Sequence, residues 1–275
     1  MKQKKGSTNM LGAIIGDLVG SPFEFNSPKT KHFPLFRSDC RPTDDSLMTI
    51  AVGCACVHSA TFSEISFKES LCKYMREIGA LYPSAGYGSM FYDWLFNDNA
   101  GPYESIGNGS AMRVSPIGWA FKTLAETEKV AKWSAEVTHN SDEGIRGAQA
   151  IAAAVFLARN GSDKDEIRDY IQSKYYDLGF TLDGIRPTYE SDVTCDGSVP
   201  QAIVAFLEST DFEDAIRNAM SLGGDCDTQA CMAGAIAEAF YGIPEDIQEK
   251  AFELLDETVT DYYLDYSDEL YSRYI

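Results

Sequence analysis

Two short acidic segments carry the residues best suited to chemistry. Pro42-Thr43-Asp44-Asp45-Ser46 stands directly before the apolar run LMTIAVGCACV, and Gly223-Gly224-Asp225-Cys226-Asp227-Thr228 directly before QACMAGAIAEAFYG. Each puts two carboxylates and a hydroxyl at a helix entrance. Orphan N–H groups and the helix dipole favour oxygen and negative charge there, so capping accounts for either segment taken alone. Together they exceed that need. One cap residue suffices, whereas each segment supplies three or four oxygen donors, and both lead into helices too apolar to be exposed. Burying two such helices draws their entrances together. Four carboxylates converging in a low-dielectric interior repel one another by several kcal/mol unless cations sit among them. Ligands that are all oxygen select hard ions, Mg²⁺ or Mn²⁺ over Zn²⁺.

A second constellation, Glu104-Ser105-Ile106-Gly107-Asn108-Gly109-Ser110, precedes a helix expected from Ala111. Its glycines let backbone N–H groups approach an anion, and the helix entrance adds favourable potential. Taken alone, Asn-Gly is foremost a turn signal.

The elements that must position these groups are helical. Polar or Gly/Pro stops alternate with Ala-rich, apolar-periodic segments, and strand signals are nearly absent. Helix starts are expected near Asn9, Asp44, Ser66, Tyr87, Ala111, Glu126, Asp142, Lys164, Val199, Phe212, Thr228 and Glu245. Ser198 reads as the cap of the helix from Val199, with Pro200 in its first turn and Gln201 completing a capping box. Residues 177–198 lose periodicity and read as a long surface loop, and the Tyr-rich end reads as a closing helix or a frayed tail.

With 275 residues at 44% hydrophobic composition, the chain can bury an ordinary core without disulfides, and one domain over residues 1–275 is expected, with a short basic tail over about residues 1–8. The net charge of −19 disfavours nucleic acid and anionic membranes as partners. No apolar run is long enough to span a bilayer, and no signal peptide is read. Seven cysteines without a CxxC pair fit a reducing cytoplasm better than a disulfide framework or a zinc site.

At this point the residues resemble the ADP-ribosylglycohydrolases, which include the hydrolase that reactivates dinitrogenase reductase and the ADP-ribosyl-arginine and ADP-ribosyl-serine hydrolases. The resemblance runs from about Met10 to Gly242. It is carried by MLGAIIGDLVGSPFE, PTDDSLMT, Gly86-Tyr87-Gly88, GNGSAMRVSPIG from Gly107, THNSDEG from Thr138, GSVPQAI from Gly197 and SLGGDCDT from Ser221. It implies an all-α, compact orthogonal helical bundle with a binuclear Mg²⁺ or Mn²⁺ centre. Its metal motifs fall on Thr43, Asp44, Asp45, Asp225, Asp227 and Thr228, with Cys226 standing where Ser or Thr is more usual. Glu24 matches a glutamate that works beside the metals. The residues alone favour a solvated acid at a helix end there, and the resemblance reverses that choice. Asp17 stays open between support of the metal ligands and a helix–helix polar contact.

The resemblance also assigns this loop, Gly109 included, to ADP-ribose, with Ser105, Gly107 and Asn108 close to the diphosphate or its ribose. Ile106 stands where relatives carry an aromatic residue against adenine, leaving Tyr87 or Phe91 as substitutes. His139 matches a histidine that lies near the distal part of the ligand, and a hydrogen-bonded capping histidine before Ser141 is an equal alternative. The implied reaction is hydrolysis at the distal ribose, releasing ADP-ribose from a protein or small conjugate, with Glu24, Asp45 and Asp227 as catalytic groups. Serine, arginine and small-metabolite linkages all remain open, and a monomer is expected. An inactive ADP-ribose-binding or structural relative and a metal-dependent nucleotide phosphohydrolase are the alternatives.

Overall fold

The computed structural model describes residues 10–24, 26–59 and 62–274, and the basic tail lies outside them. Fifteen α-helices follow in order: α1 (Gly12–Gly20), α2 (Asp44–His58), α3 (Glu64–Leu81), α4 (Ser89–Leu95), α5 (Gly109–Met112), α6 (Ser115–Ala120), α7 (Leu124–Glu136), α8 (Asp142–Arg159), α9 (Lys164–Lys174), α10 (Leu182–Ile185), α11 (Cys195–Leu207), α12 (Phe212–Met220), α13 (Cys226–Tyr241), α14 (Glu245–Phe252) and α15 (Glu257–Tyr274). Among the described residues there is no strand, only an isolated bridge between Gly107 and Thr194.

Helix α13 forms the axis. Residues 226–238 are all buried, and the helix packs against α1, α12, α11 and α8. Helix α1 is buried along its whole length. Its glycines at four-residue spacing let the two backbones approach. A Cβ at Gly12 would stand 2.7 Å from Cβ of Glu238, and one at Gly16 would stand 2.5 Å from the Cys231 nitrogen. A Cβ at Gly20 would stand 2.6 Å from Cβ of Asp227. Glu238 of α13 then accepts from the backbone N–H groups of Leu11 (3.2 Å) and Gly12 (2.7 Å), satisfying the start of α1 from a partner helix.

Most peripheral helices cap themselves. Ser63, Thr123, Ser141, Asp163, Thr194 and Asp211 each accept a backbone N–H from their own first turn. The cap at Thr194 corrects the expected start at Val199. Ser198 lies inside α11, its hydroxyl donating back to Thr194 O (2.6 Å), and Pro200 is accommodated within the helix. The Thr194 hydroxyl competes successfully because it accepts from Gly197 N and fixes the turn four residues earlier. The expected loop over 177–198 likewise contains the short α10, capped by Thr181. Glu257–Tyr274 forms a long closing helix, with Tyr263 and Tyr266 fully buried. All seven cysteines are unpaired, and among the described residues no helix is long and apolar enough to cross a membrane.

Candidate metal centre and cleft

The entrances of α2 and α13 meet beside the C-terminal half of α1. Carboxylate oxygens of Asp17, Asp45 and Asp227 all lie within 4.8 Å of one another, and the three side chains are buried. Neither N-cap residue, Thr43 or Asp225, makes a side-chain cap bond. The first turn of α2 is held from elsewhere instead. Asp17 accepts from Thr43 N (2.8 Å), Thr43 Oγ1 (2.6 Å), Ser46 N (3.1 Å) and the Ser46 hydroxyl, while Asp44 N donates to Ala85 O (2.9 Å). At α2, capping is therefore done by a residue of α1, and Asp44 and Asp45 are left for other work. Asp17 is at once the helix–helix contact and a member of the cluster.

Asp45 Oδ1 and Asp227 Oδ1 are buried without a hydrogen-bond partner, although Thr228 Oγ1 donates to the other Asp45 oxygen at 3.3 Å. Two ionised carboxylates less than 5 Å apart repel by at least about 3 kcal/mol at an effective dielectric of about 20. The protonation equilibria register this. Burial, and then the charges of Asp17 and Asp227, push the Asp45 carboxyl far above the usual range. Asp227 rises strongly through burial and Asp225, and Asp44 reaches about 8 through burial and the charges of Asp17 and Asp225. Unpartnered oxygens in an all-oxygen donor set fit a hard divalent cation, which would supply the missing positive charge.

A cleft of about 370 Å³ opens from this cluster. Glu24, Asp44, Asp45, Asp225, Asp227 and Thr228 line it, as do Ser105, Gly107, Asn108, Gly109 and His139. The turn after α1 presents Glu24, half-buried, whose carboxyl is raised by burial and by Asp225 and lowered by Arg41. Asn108 ties the glycine loop to the acidic group and to α11, donating to Asp225 Oδ2 (2.5 Å) and Ser198 Oγ (3.2 Å). The glycine loop is pinned to the start of α11, with Asn108 N donating to Val193 O and Cys195 N to Ile106 O, both at 2.9 Å.

Of the residues singled out from the sequence, Thr43 is committed to Asp17 behind the cleft wall. Tyr87 and Ile106 do not line the cleft: Tyr87 packs on Phe91 with ring centroids 5.7 Å apart, and Ile106 is 49% exposed. Phe91 does line it, as do Tyr103, Met90, Val193 and Arg113. Nothing in the sequence marks Tyr103 or Val193, since their roles depend on long-range pairing: Tyr103 N with Thr138 O, and Val193 O with Asn108 N. Arg113 sits within the GNGSAMR string, but its burial is invisible there.

These features define a helical protein with a carboxylate cluster and an adjoining glycine-walled cleft. The chain belongs to the ADP-ribosylglycohydrolase family, whose sequence profile matches residues 6–274. It is 28% identical to ADP-ribosylhydrolase ARH3 of Homo sapiens, with 87% of each chain covered. It is 27% identical to ADP-ribosylarginine hydrolase Tri1 of Pseudomonas putida (strain GB-1), covering 88% of this chain and 73% of the relative. Its fold is similar to a solved structure titled ADP-ribosylglycohydrolase-related protein complex, with TM-score 0.66, 22% identity and 96% of each chain covered.

Proposed function

We propose that this protein is a divalent-cation-dependent hydrolase that cleaves the glycosidic bond at the distal ribose and releases ADP-ribose from an ADP-ribosylated protein or small conjugate. The observation that carries the reading is the meeting of Asp17, Asp45 and Asp227 beside a cleft that a glycine loop also lines. Asp44, Asp45, Asp225, Asp227 and Thr228, which line the cleft, would hold two ions, Mg²⁺ or Mn²⁺, while the Thr43 hydroxyl is engaged by Asp17. Bound there, such ions supply charge neutralisation and Lewis acidity toward ribose hydroxyls and water. The relatives named as ADP-ribosylhydrolases support the substrate class.

The chain's own residues divide the remaining work. The Gly107–Gly109 loop and Ser105 seat the diphosphate, and the Asn108 amide keeps that loop in register with Asp225. Breaking the bond at the anomeric carbon builds oxocarbenium-like positive charge on the ribose, and the carboxylates of Glu24, Asp44 and Asp225 set a negative potential around it. Glu24 is half-buried with a raised proton affinity, which suits it to take the proton of the attacking water. Asp45 and Asp227 hold the charge pattern in the cleft wall. The same acidity steers cationic acceptors, among them arginine, toward the cleft mouth.

The test is incubation with serine-, arginine- and acetyl-linked ADP-ribose in Mg²⁺ or Mn²⁺, with separation of products. Free ADP-ribose with at least one linkage is expected. Release of AMP or phosphate would identify a nucleotide phosphohydrolase instead, and tight ADP-ribose binding without turnover of any conjugate would identify a binding relative.

A further inference from the structure

Arg113 is 1% exposed, lines the cleft, and has no carboxylate partner among the described residues. Its Nη2 donates to Ser134 O (3.0 Å) and to Thr138 Oγ1 (2.8 Å). Thr138 Oγ1 in turn lies 2.7 Å from Nδ1 of His139. A guanidinium can only donate, so the threonine oxygen accepts from Arg113 and its single proton needs another acceptor. Thr138 is wholly buried, and the acceptor in reach is Nδ1 of His139. A proton on Nδ1 would leave that buried hydroxyl hydrogen unpaired. Burial, followed by the Arg113 charge, also holds the imidazole well below its ordinary pKa, which keeps the ring neutral.

A neutral ring that accepts at Nδ1 carries its hydrogen on Nε2. That nitrogen faces the glycine loop: a Cβ built at Gly109 would stand 3.0 Å from it, and one at Gly107 3.6 Å. We propose that Arg113 and Thr138 are positioning residues that fix His139 as the Nε2–H tautomer, so that the ring offers a neutral N–H donor to an anionic oxygen seated on the Gly107–Gly109 loop. This rests on the reading of that loop as the diphosphate seat. The unpaired Arg113 charge behind the ring adds potential of the sign such an anion requires, in a cleft otherwise dominated by carboxylates.

The relay is tested first without ligand. The chain has three histidines, so ¹⁵N spectra of the whole protein, with His139→Gln to identify the signal, read the tautomer directly at neutral pH. An unprotonated Nδ1 and a protonated Nε2 are expected. A protonated Nδ1, in either a neutral or a cationic ring, would overturn the proposal. Thr138→Val removes the hydroxyl at nearly constant shape, and should lose the tautomer signature and weaken calorimetric ADP-ribose binding in Mg²⁺ by roughly tenfold. Thr138→Ser should restore both. Wild-type affinity in Thr138→Val with an altered tautomer would refute the donor role. Should wild-type protein show the expected tautomer yet fail to bind ADP-ribose, the functional reading falls and the tautomer assignment stands supported.

Discussion

Replacing Gly20 with Ala tests how the carboxylate cluster is assembled. Gly20 ends α1 against the first turn of α13, and an added Cβ would fall on Cα of Asp227 and 2.6 Å from its Cβ. The obstructing atoms belong to backbone and to the root of a side chain, so they cannot swing aside. The helices must part by about 1 Å to reach ordinary van der Waals contact. Overpacking of this kind costs about 1–3 kcal/mol, offset by about 1 kcal/mol from alanine's better helix propensity. Stability should therefore fall by no more than about 2 kcal/mol. The functional loss should be larger. Ligation of a small hard cation near 2.1 Å leaves no room for a 1 Å displacement, and misplacement on that scale lowers turnover by about 10²-fold. Thermal unfolding with and without Mn²⁺ separates the two effects. A ligand at 100 times its Kd stabilises a protein by about 2.7 kcal/mol, and Gly20→Ala should lose most of that increment in addition to any fall in the metal-free midpoint. Gly101→Ala, with nothing within 4 Å of the added carbon, serves as the control and should behave as wild type. A Gly20→Ala protein with wild-type metal-dependent stabilisation and turnover would refute the claim that this close approach positions Asp227.

Three further outcomes follow from the same geometry. Glu24→Gln should retain the fold and the Mn²⁺-dependent stabilisation while kcat falls by about 10²–10⁴-fold, and an unchanged kcat would remove Glu24 from proton transfer. Asp45→Asn deletes one of the mutually repelling buried charges, so chelator-treated protein should unfold at the wild-type temperature or above it while added Mn²⁺ no longer raises the midpoint; a marked loss of metal-free stability would contradict the repulsion argument. Glu238, raised to about 7 by burial against the opposing pull of its backbone donors, contributes stability that is complete below about pH 4.5 and is lost as pH rises through about 7, a change of about 3 kcal/mol. Urea unfolding at several pH values should show that decline in wild type and a flatter profile in Glu238→Gln; parallel profiles would refute it.

Helices with strong internal signals were readable from the chain alone. Asp44, Asp142, Lys164, Phe212 and Glu245 open helices as expected, because each starts where a polar break meets apolar periodicity. Thr194 is not legible as the cap because Ser198 offers an equally good local pattern, and the choice between them rests on the pairing of 194 with 107 in the glycine loop. The acidic segments were identified by an excess of oxygen donors over capping needs. The structure explains that excess: Asp17 does the capping at α2, and the local carboxylates are spared.

Asp17 and the glycines of α1 resisted local reading for a shared physical reason. Within its own helix each is a cost. A buried aspartate lacks solvation, and glycine at positions 12, 16 and 20 lowers helix propensity. They become favourable only against partners distant in the chain, Ser46 and Thr43 for the carboxylate, and α13 for the glycine face. The three glycines and Asp17 therefore act as one device. The glycine face lets α13 come close enough to bring Asp227 to the cluster, and Asp17, on the same helix, fixes the entrance of α2 and with it Asp45. A residue that weakens its own element and strengthens a junction between two others is the kind that local periodicity discounts, and here that junction is where the carboxylates meet.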